Sequence, residues 1–275
     1  MSKVQQKINI NHLDLDRSYT LEEFEYINDQ LKYHTLEING QPVDLFELDE
    51  KGKLIPMPQA THCMEVTVGE IVRQLGNWNL HSRQNGDIKT AQGGFDFYIG
   101  DQRTIRAPDV SFTPKTVSRQ LTQLQRWTFR GEPFTPLFII EVADTKSKSK
   151  FENLDHRFKY TFFAVGTNVQ LGLLIDPKND RIWIYKRNRN GMVFRRAYAW
   201  GNIDCGDILP GFILDVEMIE DAISQTSSET SESEGDLEIN CPKCNGSFTE
   251  DYLFMKHYEK HHSHKPETVD RMMPT

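Results

Sequence analysis

The stretch LFIIEVA, Leu137 to Ala143, is continuously apolar except for Glu141. A short run of this kind reads as a strand buried on both faces, because a strand with one wet face would alternate apolar and polar residues. Such a strand needs covering layers on both sides, and the flanking segments supply them. TLEEFEYINDQL predicts a helix with Thr20 as N-cap and Glu23 at the capping-box position. Met64, Val68, Ile71, Leu75 and Trp78 recur at helical spacing and form one apolar face. Phe151, Leu154, Phe158, Phe162 and Val165 repeat that spacing after the buried strand.

The remaining apolar segments read as strands. GGFDFYIGDQRTIRAPDVSF carries aromatic and branched residues on either side of a Gly100-Asp101 turn, and Pro108 fits an edge or strand-start position. VQLGLLID and RIWIYK are two further strands, and RNRNGMVF reads as a hairpin with Asn190-Gly191 in its turn. The succession of helix, hairpin strands, buried strand, helix and strands predicts an α/β or α+β domain, with a mixed central sheet flanked by helices.

Net charge is -8, which argues against a nucleic-acid partner only if the charge is spread evenly. It is not. Nine acids and no Lys or Arg lie between Asp215 and Glu238, so the rest of the chain sums to +1. Within that segment SQTSSETSESEGD has no aromatic or branched aliphatic residue and cannot bury enough apolar area to offset its ordering entropy. The expected organisation is a main domain over 1–220, an acidic linker over 221–238, a small module over 239–264 and a polar tail over 265–275. No apolar run approaches the roughly 18 residues of a membrane span, and the start lacks a secretory h-region. The expectation is an intracellular protein, nuclear or cytoplasmic.

Glu141 does not fit its surroundings: a carboxylate leaving a buried strand must be paired, protonated or bound to a cation. Asp109 has a similar position at the start of the apolar Val110-Ser111-Phe112. Two such acids on neighbouring strands could share Mg²⁺. Alternatively each forms an ordinary ion pair, with Arg106 or with Lys146, Lys148 or Lys150.

The order YTLEEF, KLIPMPQATH, QLGNWN, GGFDF, RAPDVSF, FIIEVAD, a Lys-bearing helix, VQLGLLIDP, RIWIYK and LPGF resembles the Uma2 family of restriction endonucleases (domain of unknown function 820), from about Tyr19 to Val216. The resemblance implies the PD-(D/E)XK, restriction-endonuclease-like fold and metal-dependent hydrolysis of DNA phosphodiester bonds. It implies Asp109 and Glu141 as Mg²⁺ ligands, with the carbonyl of Val142. Where the superfamily has a Lys two residues after the Glu, this chain has Ala143; the resemblance puts Lys159 in that role and Glu70 as a helical acid. Read without the resemblance, Lys159 is a helix residue paired with Asp155 at i,i+4. The rival to an enzyme is an inactive nuclease fold that binds nucleic acid or protein and recruits a partner. Oligomeric state is left open, with a dimer among the options.

Cys241, Cys244, His257 and His261 have the arrangement C-x2-C-x12-H-x3-H, which supplies two thiolates and two imidazoles for tetrahedral Zn²⁺. This resembles a ββα C2H2 zinc finger, with His262 as an alternative fourth ligand. Its helix would present Glu250, Tyr252, Leu253 and Lys256, a set better suited to a protein contact than to DNA.

Overall fold

The computed structural model describes residues 8–188, 190–228, 239–244, 246–248, 257–258 and 261–262. Two compact units divide the chain after Ser224.

The first unit opens with helix α1, Leu21–Leu31, where Thr20 and Glu23 form the predicted capping box. Strands β1 (Leu36–Ile38), β2 (Gln41–Leu48) and β3 (Leu54–Pro58) follow, then α2 (His62–His81) and β4 (Asp87–Thr90). Next come β5 (Phe95–Asp96), β6 (Ile105–Arg106), β7 (Val110–Thr113), and the short α3 (Lys115–Ser118) and α4 (Gln123–Trp127). The unit continues through β8 (Phe138–Val142), α5 (Lys148–Arg157), β9 (Leu171–Asp176), β10 (Arg181–Arg187) and β11 (Val193–Tyr198). It closes with the β12–β13 pair (Ile203–Asp204, Ile213–Leu214) and the greater part of α6 (Val216–Ser228), whose last four residues lie past the division.

The main sheet has the order β11-β10-β9-β8-β7-β4, in which β8 and β9 are parallel and the other neighbours antiparallel, so it is mixed as predicted. A second sheet, β1-β2-β6-β5 with β3 on β2, lies in the N-terminal half. Every residue of β8 is buried. Its alternate side chains enter two cores. Phe138, Ile140 and Val142 join Ile71 and Leu75 of α2 and Ile219 of α6, while Ile139 joins Phe95, Phe97, Phe158 and Phe162. Gly172 of β9 is fixed by this second core: a Cβ there would stand 2.7 Å from the Phe158 ring. Phe158 in turn stacks on Tyr185 at 4.1 Å between centroids.

Two expectations change. The stripe ending at Val165 fails at its last member, which is 97% exposed. After Arg157 the helix passes into a π turn over Phe158–Phe162, which shifts the register and ends before Val165. At the C-terminal end, α6 continues through Ser228, into the segment expected to be linker from residue 221. Ile219 and Ile223 pack on the core there, and Glu220 accepts a 2.6 Å bond from the Trp200 indole, which extends the helix beyond its apolar start.

In the second unit, β14 (Ile239–Asn240) pairs antiparallel with β15 (Ser247–Phe248) around the Cys241–Cys244 knuckle, and the Cys241 N–H donates to the Gly246 carbonyl at 2.8 Å. His257, Tyr258, His261 and His262 are helical. Glu250, Tyr252, Leu253 and Lys256, the linker from 229 to 238 and the tail lie outside the described residues.

Candidate active site

Strand register brings the two acids together. β7 and β8 pair Val110 with Ile140, so Asp109, one residue before β7, stands across from Glu141 near the end of β8. Both side chains lie on the face of Ser111 and Ile139, opposite the α2 core. Glu141 is 7% exposed and Asp109 half-buried. Asp109 Oδ2 accepts the Val142 N–H at 2.7 Å. Glu141 Oε1 is buried and has no hydrogen-bond partner.

Neither Arg106 nor Lys146, Lys148 or Lys150 pairs with these acids among the described residues. The three lysines are exposed, and Lys148 reaches Glu152 at 3.8 Å. The neighbouring cation is Arg157, whose Nη1 is 3.8 Å from Glu141 Oε1. Its Nη2 is held at 3.1 Å by Glu47 Oε2. Glu47 is 1% exposed; it also meets Arg106 Nη1 at 3.3 Å and accepts the Ala107 N–H at 2.9 Å. Thus β2 of the second sheet anchors a guanidinium beside the carboxylates of the main sheet.

The loop after β8 is also fixed. Asp176, fully buried at the end of β9, accepts the Thr145 N–H at 2.8 Å and its hydroxyl at 2.5 Å. Asp144 meets Lys178 at 3.2 Å.

Electrostatics follow from this crowding. Burial pushes the Asp109 carboxyl up to about 6, against the Val142 N–H and the Arg157 charge, which favour its anion. Burial, then the charge of Asp109, pushes Glu141 well above the usual carboxylate range, with Arg157 opposing. Two anions this close in a poorly hydrated site favour a proton or a cation between them.

Lys159 lies elsewhere. Its Nζ is 2.6 Å from Asp155 Oδ2, the i,i+4 pair, and Asp155 Oδ1 also accepts from Tyr185 (3.0 Å) and Arg195 (2.7 Å). No hydrogen bond or ion pair joins Lys159 to Asp109 or Glu141 among the described residues. Glu70 takes a two-point contact from Arg73 at 2.7 Å and a 2.8 Å bond from Gln74. Gln74 also bonds the Asp215 backbone, so Glu70 belongs to the fastening between α2 and the start of α6. The α2 acid whose charge acts on Asp109 is Glu65.

Sequence reasoning missed Glu47 and Arg157. Glu47 gave the same signal as Glu141, a carboxylate inside the apolar run LFEL. Nothing in sequence set Arg157 apart from the other cations of its helix.

In the second unit one ligand atom from each of Cys241, Cys244, His257 and His262 lies within 4.8 Å of the others. His257 Nε2 is 3.2 Å from Cys244 Sγ and 3.2 Å from His262 Nε2. His261, the predicted fourth member, is exposed and outside this set. Burial raises the Cys241 thiol, but the knuckle N–H groups of Lys243 and Cys244 and the neighbouring Cys244 thiol bring it net below its ordinary value. Two sulfurs and two imidazole nitrogens at this separation could hold a zinc ion.

The family model Uma2, described as a putative restriction endonuclease, matches residues 20–217. Among solved structures, one described as a putative nuclease belonging to DUF820 from Anabaena variabilis ATCC 29413 is 16% identical, with a TM-score of 0.47 over 65% of this chain and 91% of that one. No curated protein matches the chain.

Proposed function

The chain belongs to the Uma2 family, and on that premise we propose that it is a Mg²⁺-dependent endonuclease that hydrolyses DNA phosphodiester bonds at Asp109 and Glu141. The observation that carries this reading is Glu141 Oε1, buried across from Asp109 with no hydrogen-bond donor and with the Arg157 charge 3.8 Å away. A buried carboxylate oxygen without a donor is costly, and a hard cation accepted by both carboxylates would remove that cost. Asp109, Glu141 and the Val142 carbonyl would hold the ion. A divalent cation held there supplies Lewis acidity toward a phosphate oxygen and lowers the pKa of its bound water.

The protein's own groups set the rest. Arg157 lies beside Glu141 with its guanidinium pre-positioned by Glu47, so it costs little reorganisation to stabilise negative charge developing on a phosphate. We assign it the role that the family resemblance gives to Lys159, because Lys159 is held by Asp155. Glu70 is given a structural part.

The Cys241, Cys244, His257 and His262 set fits Zn²⁺ and is proposed as the metal centre of a small docking module. Protein is its favoured partner, since the expected helix face carries an acid and two large apolar or aromatic side chains.

Incubation of purified protein with supercoiled plasmid and Mg²⁺ tests the main reading. Relaxation or linearisation should occur with the wild type and disappear in Asp109→Ala and in Glu141→Ala; cleavage that survives both substitutions would refute the site. Mg²⁺ binding without cleavage would favour the non-catalytic reading.

A further inference from the structure

Lys89 stands on the same face of the main sheet as the carboxylate pair. β4 pairs Lys89 with Ser111, and β7 pairs Ser111 with Ile139. Asp109 is two residues before Ser111 and Glu141 two after Ile139, so the three charged side chains share a face, with Lys89 one row, roughly 7 Å, along the strands. The Lys89 side chain is half-buried and has no hydrogen bond or ion pair among the described residues. Its ammonium lies over the rings of Phe95 (4.5 Å) and Phe134 (5.3 Å).

It lines a cavity of about 170 Å³, several times the roughly 30 Å³ that a water takes in the liquid. The cavity's charges do not cancel. Arg103 and Asp96 neutralise each other at 2.7 Å. Arg126 gives its Nε and one Nη2 hydrogen to the carbonyls of Leu121 and Ser118, which leaves its charge and its Nη1 donors. Against Lys89 and Arg126 there remains Glu132, which is exposed. Burial depresses the Lys89 ammonium against the charge of nearby Asp87, and a bound anion would relieve the rest. Trp127 borders the same cavity and is 80% exposed, a flat aromatic surface on which a base could stack.

We propose that this cavity is a nucleotide subsite beside the proposed metal site, in which Lys89 and Arg126 take a backbone phosphate of the nucleic-acid strand and Trp127 carries the adjoining base. The inference rests on the nuclease reading of Asp109 and Glu141 for its place in the reaction. Its test does not depend on cleavage.

Trp127 fluorescence of the full chain, in EDTA at low salt, would be titrated with inorganic phosphate and with the deoxythymidine dinucleotide, and Trp127→Phe assigns the signal. Both probes should saturate, the dinucleotide at least about tenfold more tightly because stacking adds to the charge contact. Lys89→Met should weaken both by about tenfold or more, and Lys89→Arg should largely restore them. Equal binding by wild type and Lys89→Met would overturn the proposal, as would a dinucleotide that binds no better than phosphate. Should Lys89→Met fail to fold by circular dichroism, Arg126→Gln serves instead, with a several-fold loss expected and no loss overturning it. Binding at the subsite with no plasmid cleavage by the wild type would sink the nuclease reading alone, and cleavage without Lys89-dependent binding would sink the subsite alone.

Discussion

Asp109→Asn should stabilise the metal-free protein at alkaline pH. The Asp109 carboxyl is raised from 3.8 to about 6 in the folded chain, chiefly by burial. A gap of about two pKa units corresponds to roughly 3 kcal/mol by which the ionised folded state is disfavoured. Asparagine keeps an acceptor for the Val142 N–H, whose preference for the anion is already contained in that shift. The gain is therefore about 3 kcal/mol at pH 8, or roughly 6–12 °C in Tm for a domain of this size. Because the folded pKa exceeds the unfolded one, the wild type has its full stability below about pH 4 and loses it as pH rises through about 6. The gap between variant and wild type should therefore close near pH 4 and open above 6. Thermal melts in EDTA from pH 4 to 8.5 read this directly. Saturating Mg²⁺ should invert the order at pH 8, since only the wild type gains binding energy, about 4.1 kcal/mol at a thousand times Kd. A variant no more stable than wild type at pH 8, or an offset equally large at pH 4, would refute the reasoning.

Arg157→Met should lower plasmid cleavage by about a hundredfold or more, whereas Lys159→Met should leave it within a few-fold and cost up to about 1 kcal/mol of stability in urea titrations. His262→Ala should abolish the tetrahedral Co²⁺ absorption of the C-terminal module, which His261→Ala should retain; the reverse result would return the fourth ligand to His261. Gly172→Ala should destabilise the fold by about 1–3 kcal/mol in denaturant unfolding, through overpacking against Phe158.

The features legible in sequence were those in which neighbouring residues carry the reason for the structure. The capping box at Thr20 and Glu23 is complete within four residues. The α2 stripe needs only helical spacing, and Met64, Val68, Ile71, Leu75 and Trp78 do reach one core. Burial of β8 on both faces was readable from LFIIEVA because burial and composition are the same statement there. The carboxylates were legible for the converse reason, since each contradicts its apolar neighbourhood. What could not be read was partnership across the fold. Glu47 belongs to another sheet, and only the tertiary arrangement places it against Arg106 and Arg157.

The exchange of Lys159 for Arg157 follows from the same limit, and its cause is local. Two residues apart on a helix, the side chains diverge by about 200°, so a single helix cannot aim both at Glu141. Phe158 between them is fully buried on Tyr185, which fixes the helix rotation. With Phe158 inward, Arg157 falls toward Glu47 and Glu141 while Lys159 falls toward Asp155, Tyr185 and Arg195. The π turn that begins at Phe158 then admits one extra residue per turn, so counting back from Phe163 at α-helical spacing falls short of the register of the helix before it. Four residues back from Phe163 is Lys159, the residue that the resemblance implies; the extra residue of the π turn moves that register by one position toward the N-terminus, to Phe158 beside Arg157.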